Sequence, residues 1–301
     1  MSGSTGYFGS LAKRYFSSKG MKVYEANRSP NGTLYFNLDK PYNFSSTTFK
    51  PKVDLFIHAA GANENTCLSD PYTSVSQNTI GTIAALDFCV ENNIETFIYL
   101  STFHVFGNPS GLIDEKTPPS PFNIYGISHL HAEDYVTMYT RKGLLKGIIL
   151  RPSNLFGVPD DLSTFKRWSL IPFSFCRDAV IQKAINLKTS GSQMRNFISV
   201  FDVCKIIELV IQQPNQYPVI HAAGSETLSV KDFAYTVQKV MKHHFKLDVY
   251  VNVPKHNNGD PPPLPFTFKS LYLNSIYRPT DTLDDHIITL CTYLGADSYD
   301  K

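Results

Sequence analysis

Gly3-Ser4-Thr5-Gly6-Tyr7-Phe8-Gly9 stands almost at the start of the chain and runs straight into a helical pattern reaching about Ser18. Glycines so placed let backbone N–H groups approach a pyrophosphate at the N-terminus of a helix. The spacing is G-x-x-G-x-x-G, not the more familiar G-x-G-x-x-G, and alone it describes a glycine-rich turn equally well. The pattern of the downstream chain decides between the two. Apolar runs at Met21–Tyr24, Val53–His58, Thr96–Leu100 and Gly147–Leu150 alternate with helical patterns at Thr79–Val90 and Tyr125–Tyr139. Strands that are apolar on both faces and separated by helices predict a parallel α/β sheet.

A dinucleotide loop should follow a strand, yet only Met1 and Ser2 precede Gly3. In a doubly wound sheet that first strand is central, and its loss would leave two neighbours with unpaired edges. The expectation is an apolar strand upstream in the natural product, and poor folding of a chain that starts at Met1. The second half is less regular. Helices are predicted near Asp178–Ile185, Val203–Gln212 and Val230–His243, and Pro261-Pro262-Pro263 with Pro265 marks a loop. There is no internal repeat and no clean linker.

Composition excludes several classes. The chain has 301 residues, of which 42% are apolar and 18% charged, so it builds a core and is not disordered. A net charge of +2 without a basic run argues against nucleic acid as a partner. Cys67, Cys89, Cys176, Cys204 and Cys291 form no Cys-x-x-Cys pair, and their number is odd, which fits reduced thiols in the cytoplasm. No apolar run reaches the ~20 residues that span a bilayer, and no signal pattern opens the chain. The reading is a soluble, cytoplasmic protein with no membrane partner. No metal site is expected: His243-His244 is a lone pair without ligand spacing. A G-x-S-x-G nucleophile elbow is also missing.

Chemistry-bearing residues gather at the ends of the predicted strands. After the second strand comes Ala26-Asn27-Arg28-Ser29-Pro30, where an acid would bind a ribose 2′-OH. Asn27 followed by Arg28 suits a 2′-phosphate and favours NADP over NAD. His58-Ala59-Ala60-Gly61 closes its strand at the carboxyl edge of the sheet. Ser101-Thr102-Phe103-His104-Val105-Phe106-Gly107 follows the Thr96–Leu100 strand. Tyr125-Gly126-Ile127-Ser128-His129 opens a helix, and its first and last residues share one face. Arg151-Pro152-Ser153-Asn154-Leu155-Phe156-Gly157 and Gly191–Val203, with Arg195-Asn196-Phe197 inside it, come later, as does Leu228-Ser229-Val230.

In this order these segments resemble the extended short-chain dehydrogenase/reductase family, the NAD(P)-dependent epimerases and dehydratases of nucleotide sugars. The resemblance runs from Gly3 to about Ile287. It implies a Rossmann-type doubly wound sheet over residues 1–163 and a smaller C-terminal substrate-binding lobe over 164–301. The lobe would be discontinuous, with 193–215 returning to the first domain. Gly3, Thr5, Gly6, Tyr7, Phe8, Gly9, Asn27, Arg28, His58, Ala59 and Ala60 would hold the cofactor, with Tyr125 and His129 at its nicotinamide end. Asn78 and Gly81-Thr82 match the family's Asn-x-x-Gly-Thr helix, in which the Asn is structural. Thr102 matches the hydroxyl residue that hydrogen-bonds the substrate oxygen, and Tyr125 the acid/base. His129 stands where the family has lysine, which supplies a fixed charge and holds the nicotinamide ribose. His104 occupies a position that carries a second acid/base group in several relatives. The Asp-Glu pair of the dehydratases is replaced by Phe103-His104, which points to epimerisation or reduction. Asn154 and Arg195 would meet the substrate's diphosphate, and Asn196 stands where Asp is usual. Helices carrying Asn78 and Tyr125 pair two subunits in relatives, so a homodimer is expected. The rival reading is a cofactor-binding module that has lost turnover with its lysine.

Overall fold

The computed structural model describes residues 1–29, 32–45, 47–254, 266–273 and 276–297. The proline-rich stretch at 261–265, and Pro30 after the Arg28 turn, lie outside them. The first half holds α1 (Tyr7–Ser18), β1 (Ala26–Asn27), β2 (Leu34–Tyr35), α2 (Tyr42–Ser45), β3 (Leu55–His58), α3 (Glu64–Ser69) and α4 (Pro71–Val75). A π-turn (Ser76–Ile80) then leads into α5 (Gly81–Glu91), followed by β4 (Thr96–Leu100), a 3-10 turn (Phe103–Phe106), β5 (Gly111–Ile113), α6 (Ile124–Arg141), β6 (Lys146–Pro152) and β7 (Asn154–Phe156). The rest comprises α7 (Ile171–Gln182), β8 (Ala184–Asn186), β9 (Met194–Ser199), α8 (Val200–Val210), β10 (Val219–Ala222), β11 (Glu226–Ser229), α9 (Val230–Phe245), β12 (Tyr250–Asn252), β13 (Phe266–Phe268) and α10 (Leu283–Tyr293).

The main sheet is parallel and reads β2-β1-Ser2-β3-β4-β6-β10. Strand order reverses at Ser2, so the fold is the Rossmann-type doubly wound sheet. Ser2 stands in the position of the central strand. It bridges Ala26 on one side and His58 on the other, with Ser2 N–H donating to Ile57 O at 2.9 Å and Ala26 N–H donating to Met1 O at 2.9 Å.

Side chains alternate across this sheet as a two-residue period requires. Ile57, Ile98, Ile148 and Leu150 face α1 and α8, while Phe56, Phe97, Tyr99 and Ile149 face α5 and α6. Helix α1 buries Phe8, Leu11, Ala12 and Phe16, an i, i+3, i+4, i+8 stripe that meets Val203 and Ile207 of α8. Ser199 starts α8 by accepting from Asp202 N–H at 2.8 Å. A separate core of Phe173, Val180, Phe233, Val237, Ile287 and Leu290 joins α7, α9 and α10.

Three predicted boundaries move. The Met21–Tyr24 run is no strand: the pairing begins at Ala26, because Ser2 offers the neighbouring edge a single bridge there. Ala184 and Ile185 leave the predicted helix for β8, where β12 pairs with them and Lys183 turns the chain at φ +54°. The helix predicted from Thr79 begins as the π-turn, which brings the Asn78 side chain inward to Ala62.

Candidate active site

The switch point between Ser2 and β3 opens a crevice at the carboxyl edge of the sheet, where doubly wound folds take ligands. Gly3 sits at φ +71°, and a Cβ there would lie 2.6 Å from Ala59 O. A Cβ on Gly9 would lie 2.0 Å from Gly3 O. Only glycine lets the loop, the β3 end and the first turn of α1 approach this closely. Gly6 caps α1 without a side-chain hydrogen bond, and no acid occupies its first turn. The N–H groups of that turn therefore remain for an anion. Thr5, Gly6, Ala59 and Ala60 line this crevice with Arg28.

Asn27 acts on the loop itself. Its Nδ2 donates to Ser4 Oγ at 3.1 Å, and its Oδ1 accepts from Ser29 N–H at 2.8 Å. Arg28 is exposed on the crevice wall, and Asp39 stands on the same wall. His58 does not reach it. Its ring is fully buried among Phe36, Phe56, Phe97 and Tyr99, with Nδ1 hydrogen-bonded to Ser2 Oγ at 2.8 Å. Burial, with His129 nearby, pushes it down to about 3.

A second cavity adjoins the first through Gly6 and Ala59–Asn63, and it brings Thr102, His104, Tyr125, His129 and Asn154 to one surface. Each is placed by a local device. Thr102 ends the β4 edge and caps the 3-10 turn, accepting from His104 N–H at 3.2 Å. Asn123 caps α6 by accepting from Gly126 N–H at 2.8 Å. Gly126 lets α6 lie against the turn, since a Cβ there would be 2.5 Å from His104 O. Tyr125 and His104 rings thus stand 5.6 Å apart, and Tyr125 and His129 rings 4.5 Å apart.

Burial raises the Tyr125 phenol well above its ordinary value, and the Glu64 carboxylate adds to the rise. The Arg167 guanidinium and the hydrogen bond with Thr102 pull the other way. His129 is 7% exposed, and its Nδ1 hydrogen-bonds Tyr99 Oη at 2.7 Å. Burial holds it down to about 4, so its ring is neutral at pH 7 and gives Tyr125 no fixed charge. His104 is also lowered by burial, against the pull of Glu64.

Asn78 braces this arrangement. Its Oδ1 accepts from Ala62 N–H at 2.6 Å and its Nδ2 donates to Ser128 Oγ at 2.9 Å, tying the crevice wall to α6. Beneath, Glu133 accepts from Arg151 Nε at 2.9 Å and from Ser101 Oγ at 2.5 Å.

Asn154 lines the cavity and donates from Nδ2 to Asn196 O at 2.8 Å. Arg195 does not line it: its guanidinium donates to Met194 O at 3.1 Å and Gln193 Oε1 at 3.0 Å. Asn196 is buried and clamps the β10–β11 turn, donating to Gly224 O at 2.9 Å and Thr227 Oγ1 at 3.0 Å while accepting from Gly224 N–H at 2.8 Å. That job needs a donor, which explains an amide where Asp is usual.

Sequence reading gives no role to Glu64, Ser153 or Arg167, which all line the cavity. Arg167 Nη2 meets Glu64 Oε2 at 2.5 Å across 103 residues of chain. The Asn63 cap on α3 is visible in the sequence, but no spacing links Glu64 to Arg167. No group of three or more His, Cys, Asp or Glu arranged to hold a metal occurs among the described residues. None of their helices is long and apolar enough to cross a membrane.

The chain has the fold of a Thermotoga maritima UDP-glucose 4-epimerase solved with UDP-glucose, at TM-score 0.76 and 17% identity, over 98% of this chain and 97% of that one. It matches equally the RMD protein of Pseudomonas aeruginosa solved with NADPH, at TM-score 0.76, 17% identity and the same coverage of both chains. By sequence it is 27% identical over 179 residues to the dTDP-D-glucose 4,6-dehydratase of Dictyostelium discoideum, covering 54% of this chain. The chain spans about half the length of the curated relatives it matches, from 39% of that protein to 60% of one from Methanocaldococcus jannaschii. Residues 1–223 match the family model described as the NAD dependent epimerase/dehydratase family. That stretch carries both the glycine crevice and the Thr102–Tyr125–His129 surface, and the chain belongs to this family.

Proposed function

We propose that the protein is an NAD(P)-dependent epimerase or reductase acting on a nucleotide-activated sugar. One observation carries the reading: Thr102, His104, Tyr125 and His129 converge on a cavity that is continuous with the glycine crevice. The crevice residues fit a dinucleotide, since Gly3 and Gly9 let the loop close against the end of β3 and the first turn of α1, beneath a helix start with no side-chain cap and no acid. Gly3, Thr5, Gly6, Tyr7, Phe8 and Gly9 would hold the pyrophosphate, and Ala59 and Ala60 the adenosine side. The nicotinamide, when bound, supplies or takes up hydride at a sugar carbon.

The chain's own residues move the proton. Tyr125 Oη gives it to, or takes it from, the sugar oxygen, and the Thr102 hydroxyl orients that oxygen. His104, with its ring beside Tyr125, is placed to move a second proton next to a keto group, as epimerisation requires. His129 is a neutral hydrogen-bonding partner for the nicotinamide ribose. Asn154 serves the substrate's diphosphate. NADP is the proposed cofactor, supported by the exposed Arg28 guanidinium on the crevice wall, although Asp39 shares that wall. A second copy of the chain is the proposed occupant of the face bearing exposed Leu68, Tyr72, Val75, Ile80 and Ile127, on α3, α4, the π-turn and α6.

The neutral His129 favours the rival reading, a module that binds cofactor and sugar nucleotide without turnover. Titration of the chain with NADPH and NADH, with and without a panel of UDP-, GDP- and dTDP-sugars, followed by product analysis, separates the two. A new sugar product supports the enzyme. Binding of both ligands with no product supports the module.

A further inference from the structure

The sugar-side cavity contains an ion pair whose arms are unequally used. Arg167 comes from the segment that leads into α7, and Glu64 opens α3 just after β3, so the pair spans the cavity. Asn65 Nδ2 and Ser169 Oγ, 3.4 Å apart, cross at the same place. Arg167 Nη2 is taken by Glu64. Its Nη1 is buried and has no hydrogen-bond partner among the described residues. A second polar atom of the same lining is in the same condition: Ser153 Oγ, next to Asn154 in the chain, is buried and unpartnered. A buried polar group left without a partner destabilises the fold, so two in one cavity wall point to a ligand that satisfies them.

Charge narrows the ligand. His104 and His129 are neutral at pH 7 by burial, which leaves Arg167 as the permanent cation among the described residues lining this cavity. A guanidinium held at one arm presents the other as a rigid donor suited to phosphate or carboxylate oxygens. Arg195, expected to meet the diphosphate, is not part of this lining and donates from Nη1 to Met194 O and from Nη2 to Gln193 Oε1.

We propose that Arg167 receives the anionic oxygens of the substrate, with Glu64 anchoring the opposite arm of its fork and Ser153 donating beside it. The oxygens belong to the diphosphate or to a carboxylate on the sugar. The inference rests on the nucleotide-sugar reading above and deepens it by naming the residue that reads substrate charge.

Calorimetric titration of the full chain with UDP, UDP-glucose and UDP-glucuronate tests it, using wild type, R167M, R167K and R195M. NADPH binding within twofold of wild type confirms that each variant is folded. R167M is expected to weaken binding roughly 10- to 100-fold, the range for a lost hydrogen bond to a charged group, and R167K to recover part of it. Equal losses for all three probes assign Arg167 to the diphosphate. A loss for UDP-glucuronate alone assigns it to a sugar carboxylate. Affinities within twofold of wild type for R167M overturn the inference and leave the nucleotide-sugar reading standing, as does a loss seen only in R195M. A wild-type chain that binds none of the probes overturns both.

Discussion

Replacing His129 by lysine returns a fixed positive charge to the helix face that carries Tyr125. The rings of the two residues are 4.5 Å apart. A unit charge about that far from a phenolate, at an effective dielectric of ~20, is worth about 4 kcal/mol, or roughly 2–3 pKa units. Burial has raised the Tyr125 phenol, and His129, held down to about 4, does nothing to reverse this at pH 7. The lysine pays for its own burial, but even a drop of ~3 units leaves it largely charged at neutral pH. The phenolate fraction then rises by roughly a few hundredfold at pH 7. Because a less basic phenolate also accepts a proton less readily, turnover should rise by about ten- to a hundredfold. The same change removes the partner of Tyr99 Oη, now 2.7 Å from His129 Nδ1, and should cost about 1–3 kcal/mol of stability. The assay is the pH–rate profile of kcat, followed by the absorbance of reduced nicotinamide. A profile whose limb for Tyr125 stays in place, with turnover equal to or below wild type, would refute the electrostatic reasoning.

Buried groups elsewhere in the chain have consequences of their own. His58, His129, His221 and His286 are held down to about 3, 4, 3 and 4, chiefly by burial. The unfolded chain takes up these protons near pH ~6.5 while the folded one does not, so stability is full above that pH and falls as pH drops toward 4, by up to ~1.4 kcal/mol per unit for each histidine. Urea midpoints at pH 7 and pH 5 should therefore differ clearly, and equal midpoints would contradict the assignment. Gly9→Ala puts a Cβ against Gly3 O and should abolish NADPH binding, read by fluorescence titration. Asn196→Asp trades two donated hydrogen bonds for repulsion from Gly224 O, and a loss of about 1–3 kcal/mol is expected in chemical denaturation. Glu133→Leu strands the buried Arg151 and should lower stability by about 3–5 kcal/mol, with thermal unfolding as the check.

The parallel sheet was legible because β3, β4 and β6 are buried on both faces, so their apolar runs are continuous. Helix α6 was legible from its periodicity, and the convergence of Thr102, Tyr125 and His129 from motifs at strand ends. What escaped depends on contacts between distant segments. Met21–Tyr24 has the composition of a strand, but a strand is defined by its neighbour, and Ser2 offers one bridge at Ala26. Asn196 departs from the family's pattern, and the partners that account for it, Gly224 and Thr227, lie about 30 residues away. His58 reads as a packed strand-end residue, and it is one; the cofactor contact implied by the resemblance fails because Phe36, just after β2, with Phe56 of β3 and Phe97 and Tyr99 of β4, holds the ring in the core.

The same distinction explains why His129 is a change of electrostatic plan and more than a lost lysine. A lysine serves Tyr125 through a charge carried on its own helix. Here the helix carries a neutral ring tied to Tyr99, and the nearby charges come from Glu64 and Arg167 on two other segments. Their effects on Tyr125 oppose one another: Glu64 raises the phenol, and Arg167 lowers it by less. A substrate anion drawn to Arg167 would offset the cation and leave Glu64 to dominate. A substrate hydroxyl donating to Glu64 would do the reverse. The proton affinity of Tyr125 is thereby made sensitive to what fills the sugar side of the cavity, a dependence that a lysine four residues along the helix would have overridden.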